Sequence, residues 1–464
     1  MRTNIIDKKR KKSYNRTKHD DYIDRLPFKN GRNGTIMDYI LTNCKILNGK
    51  ADMVPFSGQI VVKNGMIVRI LQSNDLPDIF KGLRKIDLGD KYVMPGLINM
   101  HVHLAGNGKP QKKQRDNAKL VGFLMSNPLT KALAYSLVCK FAKLELLSGV
   151  TTIRTMGGLG DFDSKLRDES ENGKKVAPRI IAANRGISVP GGHMAGSVAI
   201  AATSVKDALD ILEANQKEGV NIVKLMITGG VLDAKEKGVP GELKMPAETI
   251  KAVCDKAHEY GYNVAAHVES PEGVKVALEN GVDSIEHGAE PDDEIIELFK
   301  KRGAFVCTTI SPTIPYALFD RSVTNITETE LYNGKIVFKG IIDCAKAAMA
   351  NGIPVAIGND VGCPWITQYD FWREVYNFAK FTGADNRFAL HTATAVNARL
   401  AGIGDVTGTI EEGKCADIIA TKSNPLDDLR ALEHVDMVIA RGKIYDKPKN
   451  KINKKVKAEL DKFC

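Results

Sequence analysis

Residues 96–104, GLINMHVHL, form an apolar run that ends in two histidines, His101 and His103. Side chains two residues apart point to the same face of a strand, so we expect both imidazoles to leave one strand end together. Seven further short apolar runs follow, and amphipathic stretches such as SVKDALDILEANQKEG and PAETIKAVCDKAHEYG lie between them. Strands that alternate with helices build parallel sheets, and eight such units predict an α/β fold, a (β/α)8 or TIM barrel, over residues 94–404. The eight runs are GLINMHVHL, VTTIRTM, RIIAANRGIS, NIVKLMIT, YNVAAHV, SIEHG, AFVCTTI and PVAIGND.

A second region has strand-like patterns and comes from both sides of this barrel. In residues 37–93, DYILTNCKIL is followed by GQIVVKNGMIVRIL, whose apolar halves meet at Asn64-Gly65, a pair typical of tight hairpin turns. Residues 405–446 contain ADIIATKS and VDMVIARGKIY, which have the same character. We therefore expect a small β-sandwich domain that is built from both segments.

The formal charge of +10 is concentrated outside these domains. Residues 1–34 hold eleven Lys or Arg against four Asp, and residues 447–464 hold seven Lys against two acids, so the body is close to neutral. We interpret residues 1–36 as a basic N-terminal extension and residues 447–464 as a basic C-terminal tail. Because the body lacks a basic surface that could receive a phosphate backbone, we expect no nucleic-acid partner.

The composition is typical of a globular protein, with 43% apolar and 26% charged residues among 464. No apolar run reaches the ~18 residues of a membrane span, and the N-terminus lacks the apolar core of a secretory signal. Eight cysteines are scattered without a CxxC pair, which fits a reducing compartment and argues against a thiolate zinc site. These features predict a cytoplasmic protein without a membrane partner.

Ionisable side chains gather at the predicted strand ends. The carboxyl ends of all strands of a barrel meet at one mouth, where its active site lies. Imidazoles and carboxylates that converge there favour a divalent metal, zinc above all. Nearby cations lower the pKa of a lysine, and a neutral amine can take up carbon dioxide as an anionic carbamate. The residues concerned are His101 and His103 on the first strand, Lys224 on the fourth, and His267, His287 and Asp360 at the ends of the fifth, sixth and eighth.

The motifs PGLINMHVHL, VKLMITGGV, AAHVES, SIEHG and IGNDVG resemble those of the metal-dependent amidohydrolase superfamily. Within it, the imidazolonepropionase-like and Xaa-Pro dipeptidase-like branch is the most similar, and GVTTIRTMGG and PGGH also resemble that branch. The resemblance covers roughly residues 37–446 and implies two zinc ions bridged by carboxylated Lys224 and a hydroxide. The other ligands that it implies are His101, His103 and Asp360 for one ion, and His267 and His287 for the second.

The resemblance also implies a reaction, the hydrolysis of an amide or peptide bond by attack of the bridging hydroxide. Asp360 would carry the proton to the leaving amine, and His193, which follows paired glycines, would face the substrate and stabilise the intermediate. We expect a small substrate, a dipeptide or N-acyl amino acid, whose free carboxylate is received by His193 and Arg185. We also expect a homo-oligomer.

Two departures from the pattern of the superfamily and two alternative functions accompany this hypothesis. Asn359 stands where a Thr usually precedes the last ligand, and the second strand ends in Arg154-Thr155 instead of Arg-Asp. One alternative is a deaminase or cyclic-amide hydrolase that acts on a heterocycle. Lys224 argues against deamination, because such enzymes typically use one metal and no bridging lysine. The other alternative, an inert barrel that serves as a binding module, is disfavoured by the complete ligand set.

Overall fold

The computed structural model describes residues 37–72, 76–110 and 116–464, so the basic extension expected at residues 1–36 lies outside the described residues. The strands fall into two groups, one that forms the predicted barrel and one that forms a separate sheet. In chain order the strands are β1 (Tyr39–Ile46), β2 (Phe56–Lys63), β3 (Met66–Leu71), β4 (Arg84–Pro95), β5 (Leu97–Val102), β6 (Val150–Thr155), β7 (Arg179–Ile181), β8 (Gly186–Ser188), β9 (Ala199–Ala201), β10 (Ile222–Met226), β11 (Asn263–Val268), β12 (Ser284–His287), β13 (Phe305–Thr308), β14 (Val355–Ile357), β15 (Ile418–Thr421), β16 (Val435–Ala440) and β17 (Lys443–Asp446).

The barrel is made of parallel strands. β5, β6 and β7 pair in one sheet, and β14, β13, β12, β11, β10, β8 and β9 pair in that order in a second sheet. The segment after β14 closes the barrel against the end of β5. There the backbone N–H of His103 donates to the carbonyl of Val361 at 3.0 Å. The predicted α/β fold with a (β/α)8 barrel is confirmed.

Helices follow most barrel strands, and many of them begin at side-chain caps. The side chain of Asn127 accepts from two backbone N–H groups of the helix that it precedes, and Thr327 and Glu330 form a capping box. The α-helices are α1 (Asn117–Met125), α2 (Pro128–Leu147), α3 (Phe162–Glu171), α4 (Val205–Lys217), α5 (Ala247–Glu259), α6 (Pro271–Glu279), α7 (Asp293–Arg302), α8 (Ile314–Ala317), α9 (Arg321–Thr324), α10 (Glu328–Ala350), α11 (Phe371–Thr382), α12 (Asn386–His391), α13 (Asn397–Leu400) and α14 (Lys454–Leu460). Short 3-10 segments lie at Asp78–Phe80, Ser311–Thr313 and Leu429–Glu433, and a π-helical turn at Thr392–Val396.

The third barrel strand is broken in the middle. The sequence predicts one strand over RIIAANRGIS, whereas the structure has β7 paired with β6 and β8 paired with β10. Between them Asn184 adopts a left-handed conformation with φ of 54°. Asparagine tolerates this conformation, and its amide is held by the hydroxyl of Ser164 and the carboxylate of Glu218. Because of the break, the first half of the strand pairs with β6 and the second half pairs with β10.

The separate sheet outside the barrel is assembled from segments on both sides of the barrel sequence, as the sequence predicts. Its order is β17, β16, β15, β4, β1, β2 and β3, with β15 antiparallel to β4. Backbone hydrogen bonds between residues 65–67 and 413–416 then join the β3 edge to the segment before β15, so the sheet curls around its own apolar core. A buried ion pair fixes it to the barrel, because Arg179 on β7 contacts Asp417 at 3.0 Å.

Residues 447–464 do not form a detached tail. They end in α14, where Val456 and Leu460 are buried in a cluster with Ile314, Phe319 and Trp365. Six of the seven lysines of this segment are exposed, while Val456 and Leu460, four residues apart, are buried. Among the described residues, no helix combines the length and apolar character that crossing a membrane requires.

Candidate active site

His101 and His103 lie at the carboxyl end of β5, and both are buried. The Nδ1 atom of His101 lies 2.8 Å from a carboxylate oxygen of Glu286, and that of His103 lies 2.9 Å from the carbonyl oxygen of Gly157. Because each Nδ1 faces an acceptor, it carries the proton, and the Nε2 lone pair is left for a ligand. The two Nε2 atoms lie 3.5 and 3.3 Å from Oδ1 of Asp360. Metal-binding imidazoles require this orientation.

Asp360 follows β14 and is positioned by its backbone. Its N–H donates to the carbonyl of His101 at 3.0 Å, and its φ of 51° turns the chain in the left-handed sense. Burial would raise the pKa of Asp360, but His101 and His103 beside it hold that pKa below its ordinary value. The side chain is therefore an anion between two imidazoles.

Asn359, one of the two departures noted in the sequence, is paired with Asn99. The Nδ2 of Asn99 donates to Oδ1 of Asn359 at 2.7 Å. The Oδ1 of Asn99 accepts from the backbone N–H groups of His101 at 3.3 Å and Asn359 at 3.2 Å. The two amides thus tie the first strand to the eighth, and they support the positions of His101 and Asp360.

His267 and His287 end β11 and β12 and bring two more imidazoles to the same place. Their ring centroids are 4.6 Å apart, and that of His287 is 4.8 Å from that of His101. Burial holds the pKa of both rings well below the ordinary value, so they are neutral imidazoles, each with a lone pair that can bind a metal. Donor atoms of His101, His287 and Asp360 all lie within 4.8 Å of one another.

Lys224 lies on β10 and is only 1% exposed. Burial lowers its pKa to about 8, against the opposing effect of Glu286 and Asp360. Within the described ranges, neither Nζ of Lys224 nor Oδ1 of Asp360 has a hydrogen-bond partner. Buried polar atoms are almost always bonded, so two orphaned atoms beside four imidazoles fit a centre that is completed by divalent ions.

His193 lies beside these residues, on the segment that follows β8. Its ring stacks on that of His267, with centroids 3.9 Å apart and planes 6° from parallel. Its Nδ1 lies 2.6 Å from Oδ2 of Asp233, which also accepts from the backbone N–H of Gly230 at 2.9 Å. The imidazole is therefore held in a fixed orientation next to the candidate metal ligands.

Comparison with known proteins agrees with this geometry. Residues 92–445 match the amidohydrolase family. The chain belongs to this family. Ochratoxinase from Aspergillus niger is 22% identical over 419 residues, which cover 84% of this chain and 83% of that protein. A solved structure from Bifidobacterium longum, of a protein proposed to be a prolidase, aligns with a TM-score of 0.81 and 36% identity, over 92% of this chain and 99% of that one. A Xaa-Pro dipeptidase with bound methionine aligns with a TM-score of 0.76 and 29% identity, over 88% and 100%.

Membership of the family confirms the resemblance seen in the sequence motifs. It makes this amidohydrolase an enzyme that hydrolyses carbon–nitrogen bonds. The family generally uses divalent metal ions, and the histidines and aspartate described above are the candidate ligands.

Glu286 is a residue of the amidohydrolase site that the sequence analysis missed. One oxygen of its carboxylate faces His101, and the other accepts from Nη2 of Arg154 at 2.7 Å. Arg154 is buried, and its Nε donates to the carbonyl of Met100 at 2.7 Å. The second departure, Thr155, accepts a hydrogen bond from the backbone of the third strand. The available signal for Glu286 was an acidic residue inside the apolar run SIEHG.

Glu269 was also missed, although the motif AAHVES contains it. Its carboxylate accepts from the backbone N–H of Val231 at 3.1 Å, and it groups with His267 and His287 within 4.8 Å. Burial, with added effects of Asp360 and Asp233, raises its pKa to about 8. Glu269 therefore lines the amidohydrolase site next to the second pair of histidines.

The structure does not bring Arg185 to this group. Its guanidinium pairs with the carboxylate of Glu218, and its Nε donates to Oδ1 of Asn215 at 3.3 Å. Both partners lie at the C-terminal end of α4, which leads into the amino end of the next strand. The guanidinium is therefore engaged by the end of α4, and no described contact joins it to the histidines or supports the substrate contact expected from the sequence.

Proposed function

We propose that this amidohydrolase cleaves an amide or peptide bond in a dipeptide or N-acyl amino acid that has a free carboxylate. We assign one zinc ion to His101, His103 and Asp360, and a second to His267 and His287, with carboxylated Lys224 between them. The observation that carries this proposal is the buried, unpartnered amine of Lys224 among the imidazoles of the described site. A carbamate on that amine would supply the anion that two cations need.

When bound, two such ions lower the pKa of a water molecule and polarise the substrate carbonyl. Asp360 would accept a proton from the attacking water and deliver it to the leaving nitrogen as the carbon–nitrogen bond breaks. Its position between His101 and His103 keeps its carboxylate ionised until then. Glu286 acts through His101, because it fixes the ring that lies against Asp360.

We assign contact with the substrate to His193. Its Nδ1 is engaged by Asp233, so Nε2 is the nitrogen left to meet the carbonyl oxygen or the carboxylate of the substrate. The names of the aligned structures, a prolidase and a Xaa-Pro dipeptidase, support a substrate with an amino-acid carboxylate next to the scissile bond.

A panel of dipeptides and N-acyl amino acids, followed by mass spectrometry of the products, tests this function on protein of measured metal content. We expect about two zinc ions per chain and release of a free amino acid. Ammonia released from a heterocycle would favour the deaminase or cyclic-amide alternative. A zinc-loaded protein without turnover on any of these substrates would favour the binding module.

We also propose that the enzyme acts in the cytoplasm as a homo-oligomer. All eight cysteines are free, which suits a reducing compartment. Cell fractionation tests the location, and sedimentation of the full chain tests the assembly.

A further inference from the structure

Helix α1 is rich in apolar residues but is exposed to solvent. Its sequence, NAKLVGFLM, is largely apolar, yet none of its nine residues is buried. Leu120 and Phe123 keep 44% and 63% of their surface exposed. A helix that is apolar on most sides is normally covered, yet the described residues that pack against α1 leave Leu120 and Phe123 largely open.

Helix α2, which follows α1 and packs against it, also exposes large apolar side chains. Ala134, Val138, Ala142 and Leu146 face the barrel core, whereas Leu129, Leu133 and Leu137 are 82%, 58% and 40% exposed. Residues four apart lie on one face of a helix, so these three leucines form a stripe on the side away from the core. We call the two helices the hairpin, and the hairpin patch consists of Leu120, Phe123, Leu129, Leu133 and Leu137.

We propose that the hairpin patch is the surface through which two copies of this chain associate about a two-fold axis. A two-fold interface brings a patch against its own copy, and an apolar stripe with four-residue spacing can interdigitate with itself. Five large side chains that are about half exposed offer roughly 500 Å² per copy. A pair therefore buries about 1,000 Å² from the patch alone, the size at which a specific interface begins.

The charges around the hairpin favour a second copy over a lipid surface. An interfacial helix needs a row of free cations for anionic headgroups. Here Lys119 pairs with Asp116 at 3.2 Å, and the ammonium of Lys131 lies 5.9 Å from the ring centroid of Phe162. Lys119, which precedes Leu120, and Lys131, which lies between Leu129 and Leu133, are therefore both engaged within the chain.

The hairpin also packs against two segments that lead to the candidate active site. A Cβ on Gly196, three residues after His193, would lie 3.0 Å from Cβ of Ala118 in α1. A Cβ on Gly160, three residues after the carbonyl that accepts from His103, would lie 3.2 Å from Cε of Met125. A partner seated on the patch would hold α1 against both segments.

The test compares the masses of the full wild-type chain and two double variants by size-exclusion chromatography with light scattering. Leu129→Glu with Leu133→Glu places charge in the patch. Val54→Glu with Ile79→Glu is the matched control, because these residues are 62% and 77% exposed outside the hairpin. We expect the wild type and the control at the same multiple of 50.7 kDa, and the patch variant at half that mass or less. A wild-type monomer, or a patch variant with the wild-type mass, would overturn the proposal.

A second measurement covers the case in which the patch variant does not fold. Leu133→Cys should give a covalent dimer with a short bismaleimide, whereas Val54→Cys and the wild type should not exceed the background of the native cysteines. Absence of a Leu133→Cys dimer contradicts the proposal. So does a wild-type monomer that sediments with phosphatidylglycerol vesicles, which would assign the patch to a membrane surface.

Discussion

Lys224 is the side chain on which the proposed chemistry depends most directly. In Lys224→Ala we expect the loss of at least one metal ion and a fall in kcat beyond the ~100-fold seen when outer partners of a metal site are removed. Added acetate or propionate should restore part of both, because a small carboxylate can occupy the place of the carbamate. Elemental analysis and turnover check this, with the exposed Lys217→Ala as the control. An active variant with unchanged metal content would remove the lysine from the centre.

His193 permits a test of substrate contact that a purely structural residue would fail. A buried carboxylate that loses a hydrogen-bonding partner loses about 1.5–3 kcal/mol, or roughly ten- to a hundredfold in kcat/KM. His193→Ala should therefore impair free-acid substrates strongly and the matching C-terminal amides much less. The comparison needs one acid and one amide in both proteins. Equal losses on the two would place His193 at the reacting carbonyl instead.

The residues of the site differ in how far sequence could place them. His101 and His103 share a strand face because they are two residues apart, and Asp360 joins them because parallel strands end together. Arg185 could not be placed this way, since its partner Glu218 lies 33 residues along the chain at the other end of a helix. Glu286 was equally hidden, because strand alternation alone does not tell which apolar runs enclose a buried carboxylate.

Among the secondary-structure elements, α14 gives the largest departure from expectation. Phe463 stacks on Phe319 with centroids 5.3 Å apart, and Asp461 pairs with Arg373 at 2.5 Å. The same cluster holds Trp365, five residues after Asp360. Val456 and Leu460 are the only two large apolar residues of α14 and lie among lysines, which is too weak a pattern to reveal such a helix, so composition favoured a tail where packing decides the structure.

Leu460→Ala tests whether this helix stabilises the barrel. Leu460 is 4% exposed, and removal of a buried leucine side chain lowers the free energy of unfolding by about 2–5 kcal/mol. We also expect a lower kcat/KM, because the cluster supports the segment that follows Asp360. Ile452→Ala, at a position 39% exposed, is the control and should change stability by less than about 1 kcal/mol. Denaturant unfolding measures the stability of both variants, and equal losses of stability would contradict a docked helix.

At the scale of the whole molecule, the basic extension and the catalytic body should be separable. Residues 1–30 show little apolar periodicity, and their charge is segregated from a body that is close to neutral. Deletion of residues 1–30 should therefore leave kcat/KM and the melting temperature within error of the full chain. Loss of turnover in a truncated protein that is still folded would show that the extension contributes to the site.

The sheet outside the barrel combines strands from both sides of the barrel sequence, so it can be completed only late in translation. β4 leaves the ribosome about 320 residues before its partner β15, which is tens of seconds at ~5–20 residues per second. Throughout that interval a nascent chain carries β1 to β4 with both edges of this sheet unpaired, β4 without β15 and β3 without residues 413–416, and unpaired edges recruit other strands. The barrel can form in the meantime, but the ion pair of Arg179 with Asp417 and the pairing of β4 with β15 cannot form until the C-terminal segment is synthesised. Chaperone demand should therefore be greatest during translation, before residues 417–446 emerge to close the ladder.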